Sequence, residues 1–239
     1  IDEPRQIRAD DGPPRRGVTD MDRPVAIPRV AAARRPEPAV LPLWLRAVII
    51  ACCMIEAFCF AAPMLGLGSA RTASVMLGGF WAPLVGDGVG LYPGQGVAMF
   101  LTYGLLHSGP LHLAMNMISL AAVGRELVRM IGSARMALTY LLSQIAAGMV
   151  FAWMEPDAGP MVGASGAVFG LAGALVGYAA ITLRRRHRPM SPLVRAVALI
   201  LGLNVALTLL MPSIAWQAHL GGGVAGLVLG LIFALIPRR

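Results

Sequence analysis

The sequence predicts an all-α, polytopic membrane protein with six transmembrane helices, and three observations lead to this fold class. Of the 239 residues, 57% are hydrophobic and 13% are charged, and the mean hydropathy is +0.70. A soluble domain carries about a quarter charged residues, so an ordinary soluble enzyme is nearly excluded. The apolar residues gather into segments of about 20 residues, the length that crosses a bilayer core of roughly 30 Å. The basic residues are all Arg and lie in blocks beside these segments.

The chain begins with a segment that differs in composition from the rest. Residues 1–43 are rich in Pro, Arg and acidic residues and hold few large apolar groups. Such a composition cannot bury enough surface to offset the entropy of ordering. We therefore expect a disordered Pro/Arg-rich cytoplasmic arm here, and a short cytoplasmic tail at residues 237–239.

Six apolar segments follow, and each is predicted to be a transmembrane helix because its length suits a bilayer. They cover roughly 44–66, 110–129, 134–154, 165–183, 193–211 and 215–236. The glycine-rich segment 67–109 is too irregular for a span and too apolar for a simple loop. We expect it to lie on the outer surface or to be half-inserted, with protein or water covering its backbone.

The distribution of Arg predicts the orientation. Arg residues flank the start of the first span, the turn between the second and third spans, and the loop between the fourth and fifth, whereas the opposite loops carry only Arg71. Cytoplasmic loops carry the excess of basic residues, so both termini are expected in the cytoplasm. The net charge of +8 would also suit nucleic acid, but the block pattern favours membrane orientation, and no nucleic-acid partner is expected.

No metal or cofactor is expected from the sequence. The three cysteines, Cys52, Cys53 and Cys59, all lie in the first predicted span, and no Cys/His spacing is typical of a metal site. Cysteines inside an apolar segment are most often inert thiols.

Polar side chains inside membrane helices are costly, which makes them candidates for function. In the six-span arrangement the second, fourth and sixth spans run inward, and each carries its unusual polar groups in the first turn or two. These groups are His112 and Asn116, Ser165, and His219. At a rise of about 1.5 Å per residue they lie within about 10 Å of one depth. We expect a single site a little below the outer surface.

Glycines at spacings of three and four form one face on the fourth span and one on the sixth, which lets two helix backbones approach closely. His219 lies on the second of these stripes, and Ser165 directly precedes the first. If the stripes pack together, a serine nucleophile meets a histidine base. Glu155 and Asp157 lie in the loop ahead of Ser165, and neither is well placed as a third member, so we predict a Ser–His dyad.

His112 and Asn116 are four residues apart and hence on one helical face. Two neutral donors beside a nucleophile, together with the Ser165 backbone N–H at a helix start, are what a tetrahedral oxyanion needs. An isolated membrane His or Asn more often makes an interhelical hydrogen bond. Because four such residues lie at one depth, a catalytic role is favoured.

Three short motifs resemble those of a known family. Residues 163–166, GASG, are similar to the GxSG motif of rhomboid intramembrane serine proteases; residues 112–116, HLAMN, match their HxxxN motif; and residues 218–222, AHLGG, match their AHxxG motif. GxSG alone is weak because other hydrolases share it. The three motifs in this order, on the second, fourth and sixth spans, are highly specific. The chain resembles a bacterial six-helix rhomboid protease over roughly residues 44–236.

The resemblance implies a rhomboid-like bundle of six helices and an intramembrane serine endopeptidase. It implies Ser165 as nucleophile, His219 as base, and an oxyanion site formed by His112, Asn116 and the Ser165 backbone. The implied partners are the lipid bilayer and transmembrane segments of membrane protein substrates, with no cofactor and no metal. The implied location is the bacterial inner membrane, with the site open to the extracytoplasmic side. The sequence makes no prediction of oligomeric state.

The chain departs from the family's usual pattern at several positions. The family often has a Trp-Arg pair in the first outer loop, where this chain has Ala98-Met99, so the anchoring of that loop is expected to differ. A Tyr four residues after the nucleophile usually stacks on the catalytic His, and here it is Phe169, whose ring can still stack. The acidic residue common near the end of the second span is slightly displaced, to Glu126.

Two other functions remain open at this point. A catalytically silent rhomboid-like protein that binds transmembrane helices would keep the fold and lack a catalytic residue, whereas both Ser165 and His219 are present. A small transporter would need broken helices, internal repeats and midplane charges, of which only Glu56 fits.

Overall fold

The computed structural model describes residues 40–86, 88–210 and 214–236, and eight α-helices occur in them. They are α1 (Leu43–Ala61), α2 (Ala70–Gly78), α3 (Gln95–Thr102), α4 (Pro110–Ile131), α5 (Ser133–Met154), α6 (Ser165–Arg185), α7 (Ser191–Leu210) and α8 (Trp216–Leu235). No strand occurs in this described part, where Phe80 and Met161 form an isolated β-bridge. The prediction of an all-α fold is confirmed. The predicted arm, up to residue 39, and the predicted tail, 237–239, lie outside the described residues.

Five helices of the described part are long and apolar enough to cross a membrane. They are α1 with its following turn (Leu43–Leu65), α5, α6, α7 and α8. Helix α4 has 22 residues and is as long as the others. Its polar residues, among them His112, Asn116, Arg125 and Glu126, lower its hydropathy. The chain is therefore a multi-pass helical membrane protein with five helices that satisfy both criteria. The second predicted span, 110–129, is present as α4, a helix of suitable length.

Helices α6 and α8 lie in backbone contact. A Cβ atom at Gly222 would collide with the carbonyl oxygen of Gly166, and one at Gly226 would collide with that of Gly170. Such contact is possible only where side chains are absent from both facing surfaces. The prediction that the two glycine stripes pack together is confirmed, and the contact brings the beginnings of α6 and α8 side by side.

Arginines join the opposite ends of these helices. Arg185 Nη1 donates to the carbonyl oxygen of Ala234 at 2.8 Å, and Arg135 Nη1 donates to that of Ile236 at 3.4 Å. The start of α5 and the ends of α6 and α8 therefore share one end of the bundle. Because α6 begins at the other end, Ser165 lies far from this Arg-rich end.

In the described residues between α1 and α4, 62–86 and 88–109, no span occurs, as predicted, since the helices α2 and α3 have nine and eight residues. An aromatic cluster attaches the segment to α5. The fully buried Phe80 ring meets Phe100 at 4.9 Å, Tyr103 at 5.5 Å and Phe151 at 6.1 Å between ring centroids, each edge-on. Met99, in the place of the family's frequent Trp-Arg pair, is itself fully buried. Aromatic and apolar packing thus anchors this loop.

Candidate active site

The structure brings Ser165 and His219 into direct contact. Ser165 is the first residue of α6, and His219 lies in the first turn of α8. Ser165 Oγ lies 2.9 Å from His219 Nε2, within hydrogen-bonding distance. This distance follows from the glycine contact between the two helices, since a wider separation would leave the two side chains out of reach. A hydroxyl bonded to an imidazole is the arrangement of a nucleophile with its base.

An aromatic ring fixes the plane of the histidine. The Phe169 ring, one turn after Ser165 on α6, stacks on the His219 imidazole with centroids 4.3 Å apart and planes 10° apart. The expectation that phenylalanine stacks in the usual place of tyrosine is confirmed. Phe169 holds the ring through its face and leaves both ring nitrogens available for hydrogen bonds.

His112 faces the same small space as Ser165. The Ser108 backbone N–H points at His112 Nδ1 at 3.3 Å, and the Ser108 Oγ lies 3.0 Å from the same nitrogen. A backbone N–H can only donate, so this contact assigns Nδ1 as the acceptor and the ring proton to Nε2. A Cβ atom at Gly163 would lie 3.0 Å from His112 Nε2 and 3.7 Å from Ser165 Oγ. Gly163 also has φ +126°, a conformation that favours glycine. The glycine therefore keeps open a space next to a donor and a nucleophile.

The backbone of Ser165 adds a second donor. The first N–H groups of a helix have no partner within the helix, and α6 begins at Ser165. The positive end of the helix dipole also lies here, and it favours negative charge.

Asn116 is placed less directly than the sequence predicted. Its side chain is buried, and its Nδ2 donates to the backbone carbonyl of His112 at 2.9 Å. Within the described part of the chain, no hydrogen bond joins Asn116 to Ser165, and the buried Asn116 Oδ1 has no partner. An amide nitrogen carries two hydrogens. The His112 carbonyl accepts a hydrogen bond from one of them, and the second hydrogen of Asn116 Nδ2 is not used by that bond.

Asn204 is a site residue that the sequence analysis missed. Its side-chain amide nitrogen lies 2.8 Å from His219 Nδ1, on the side of the ring opposite Ser165. The signal for Asn204 was available in the sequence, because it is a polar residue inside the fifth apolar segment, where polar side chains are costly.

Glu155 accepts a hydrogen bond from Gln217 Nε2 at 2.9 Å and so links the α5–α6 loop to the start of α8.

A partly buried ion pair supports the loop that precedes α4. Arg71 on α2 donates to both oxygens of Glu56 on α1, at 2.6 and 2.9 Å, and to the carbonyl of His107 at 2.6 Å. The Glu56 carboxylate raises the pKa of the Arg71 guanidinium. The sequence analysis named Glu56 only as a midplane charge and did not find its partner. The contact fixes His107, five residues before His112.

The His107 ring is buried and meets the His112 ring edge-on, with centroids 5.2 Å apart. Neither His107 ring nitrogen has a hydrogen-bond partner within the described residues. Burial, and then the charge of His112, lowers the pKa of His107 to about 4. His107 is therefore neutral near pH 7 and supports the position of His112 by packing.

Metal ligands do not gather anywhere in residues 40–86, 88–210 and 214–236, where no group of three or more His, Cys, Asp or Glu side chains is placed to hold an ion. The arrangement around Ser165 instead defines a class of protein: a helical membrane bundle that holds a serine–histidine pair at the start of two contacting helices.

Comparison with known proteins identifies the family of the chain. Residues 94–236, more than half of the chain, match the Rhomboid domain. RHOMBOID-like protein 1 of Arabidopsis thaliana is 34% identical over 133 residues, which cover 56% of this chain and 33% of that protein. RHOMBOID-like protein 5 of the same plant is 35% identical over 134 residues, 56% of this chain and 43% of that protein. Rhomboid protease GluP of Bacillus subtilis is 34% identical over 126 residues, 53% of this chain and 24% of that protein.

The chain therefore belongs to the rhomboid family. The matched region spans less than half the length of each of these relatives. The relatives include both proteins named as proteases and proteins named only as rhomboid-like.

Proposed function

We propose that the chain is an intramembrane serine endopeptidase that cleaves transmembrane segments of membrane protein substrates with a Ser165–His219 dyad. The observation that carries this proposal is the 2.9 Å contact between Ser165 Oγ and His219 Nε2. Family membership and the similarity to a Bacillus subtilis rhomboid protease support it. The alternative, a catalytically silent rhomboid-like protein that binds transmembrane helices, has no need of this contact.

The first step is attack on the substrate carbonyl carbon. The Ser165 hydroxyl gives its proton to His219 Nε2 as its Oγ forms a bond to the carbonyl carbon. A serine hydroxyl is too weakly acidic to attack an amide unless a base removes this proton. The stacked Phe169 ring, 4.3 Å away, keeps the imidazole in the required plane.

The negative charge that develops on the carbonyl oxygen needs hydrogen-bond donors. We propose that the oxygen enters the space that Gly163 keeps open, where His112 Nε2–H and the Ser165 backbone N–H can donate to it. Asn116 would contribute the second hydrogen of its Nδ2, from one turn further along α4. These donors act most strongly on charge that exists only in the tetrahedral state.

Collapse of the tetrahedral species breaks the carbon–nitrogen bond. His219 gives its proton to the leaving amine, and an acyl-enzyme ester on Ser165 remains. A water molecule then attacks the ester, its proton passes to His219, and the proton returns to Ser165 Oγ as the acid product leaves. His219 accepts or donates the proton in every one of these transfers, and the steps require no metal or cofactor.

The same proposal includes the number of spans, the membrane in which the chain lies and its orientation there. Residues 44–236 would form a six-helix rhomboid protease domain of bacterial type in a bacterial inner membrane, with α4 as the second of its six spans. The Arg-rich end of the bundle, where Arg185 reaches α8, would face the cytoplasm together with both termini, and Ser165 would open to the extracytoplasmic side. A reporter fused after Arg239 should then be cytoplasmic and one inserted near Gly94 extracytoplasmic. The reverse result would contradict this orientation.

The proposed function is tested by proteolysis in a bilayer. The purified protein is reconstituted with a panel of single-span membrane proteins, and cleavage by the native chain is compared with cleavage by Ser165→Ala. Ser143→Ala, which removes another buried hydroxyl, is the matched control. We expect cleavage by the native chain and the control and none by Ser165→Ala. Cleavage by Ser165→Ala would exclude the nucleophile, and binding without cleavage by the native chain would favour the silent protein.

A further inference from the structure

Helix α7 touches the rest of the bundle along one narrow face. Among the α7 side chains that the structure describes, four are half-buried and the rest are exposed. The four, spaced by four, seven and four residues, are Leu193, Val197, Asn204 and Thr208. This spacing places them on one side of the helix. Asn204 is therefore turned toward the bundle, with its amide at His219 Nδ1.

The contact bears on which ring nitrogen of His219 carries the proton. A neutral imidazole has one N–H and one acceptor nitrogen. If Asn204 Nδ2 donates to Nδ1, the ring proton must lie on Nε2, and Nε2 cannot accept the Ser165 proton. If Oδ1 occupies the same place, it accepts from Nδ1–H, and Nε2 is free to act as base.

The two amide orientations fill nearly the same space, since the oxygen and nitrogen of an Asn side chain exchange places by a half-turn. The hydrogen bond made by one ring nitrogen of a histidine determines whether the proton lies on that nitrogen or on the other one. The 2.8 Å distance between the Asn204 amide and His219 Nδ1 is short enough for a hydrogen bond in either orientation of the amide. Asn204 can therefore determine which ring nitrogen of His219 carries the proton.

We propose that Asn204 is a positioning residue for His219: in the active form its Oδ1 accepts from Nδ1–H and thereby holds Nε2 in the basic state opposite Ser165. The proposal rests on the proposed function for its catalytic consequence, whereas the tautomer itself is a property of the resting protein. Among the described residues no hydrogen bond joins Asn204 to Ser165, so in this proposal Asn204 acts through the imidazole.

The tautomer is measured directly by nitrogen NMR. The protein is labelled with ¹⁵N-histidine in micelles at a pH where the ring is neutral, and His219 signals are assigned by their absence in His219→Ala, since the chain has only four histidines. We expect the native protein to hold the proton on Nδ1. Asn204→Leu, which removes the acceptor, should populate both tautomers, and Asn204→Asp, whose carboxylate accepts, should keep Nδ1–H.

Kinetics in the bilayer supply the second measurement. Asn204→Leu should lower kcat about tenfold, the rate equivalent of one neutral hydrogen bond, with KM unchanged. Asn204→Asp should recover most of the loss. Thr208→Val, one turn further along α7, removes a hydroxyl that bonds within the helix and should leave kcat unchanged.

The two measurements separate the two proposals. A native protein that cleaves nothing would overturn the proposed function, while its nitrogen spectrum would still decide the role of Asn204. A native His219 protonated on Nε2, or a tautomer that Asn204→Leu leaves unchanged, would overturn the positioning role. A raised KM at unchanged kcat in Asn204→Leu would also overturn it, because a substrate contact would then explain the effect.

Discussion

Removal of Arg71 should destabilise the protein more than removal of its partner Glu56. The Glu56 side chain is 5% exposed, whereas that of Arg71 is 29% exposed. In Arg71→Met the carboxylate stays buried without a counter-charge, which costs about 3–5 kcal/mol in the free energy of unfolding. The bond from Arg71 to the His107 carbonyl is lost as well. In Glu56→Leu the Arg71 guanidinium keeps its hydrogen bond to the His107 carbonyl and can be hydrated. We therefore expect this variant to lose about 1 kcal/mol of unfolding free energy.

The double variant separates ion pairing from general damage. Arg71→Met with Glu56→Leu removes both charges and leaves only the lost bond to the loop, so its cost should be about 1 kcal/mol. The coupling energy of the pair would then be about 3–5 kcal/mol. The free energy of unfolding is measured by denaturant titration in micelles or by steric trapping in bilayers.

The control is an exposed pair on the same protein. Glu126 and Arg129 lie 3.5 Å apart with side chains 55% and 39% exposed, and Glu126→Gln should change stability by less than about 0.5 kcal/mol. If the costs of the two single variants at Glu56 and Arg71 simply add in the double variant, the buried pair has no coupling and our interpretation is wrong.

Three further predictions concern packing, pH and the oxyanion. Gly226→Val should cost at least about 2 kcal/mol of unfolding free energy because its Cβ meets the Gly170 carbonyl, whereas Gly202→Val, with open space around the Cβ, should cost less than about 0.5 kcal/mol. The folded pKa of His107, about 4, lies below the ordinary value of 6.5. Between these values the unfolded chain binds more protons, so stability measured in micelles should fall as pH drops from 6.5 to 4, by roughly 3 kcal/mol from this group, and His107→Phe should lose that part. Asn116→Ala should lower kcat about 10² with KM unchanged in bilayer kinetics; a raised KM at unchanged kcat would assign Asn116 to substrate binding.

The long helices were predictable because a bilayer imposes a length that can be read from composition. Predicted segments 134–154 and 215–236 agree within a residue with helices α5 and α8. The 110–129 segment continues to Ile131, because the helix ends only at Gly132, whose φ of +83° suits a glycine. The short helices α2 and α3 had no such signature, since eight or nine residues give neither a bilayer length nor a long period.

The site was predictable where its residues share a depth and a helix face. Ser165 and His219 meet because the glycine spacing that brings their helices together is visible in the sequence. Asn204 and Arg71 were missed for a different reason. Each finds its partner, His219 or Glu56, across two helices, and which partner a buried polar group meets depends on helix rotation that hydrophobic patterns do not specify.

The central claim is that His219 activates the Ser165 hydroxyl, and covalent labelling tests it most directly. A fluorophosphonate reacts with an activated serine, and mass spectrometry of the reconstituted protein locates the adduct and gives its rate of formation. We predict an adduct on Ser165 that forms at least about 10²-fold more slowly in His219→Ala. An adduct on another serine, or an equal rate in His219→Ala, would contradict the claim.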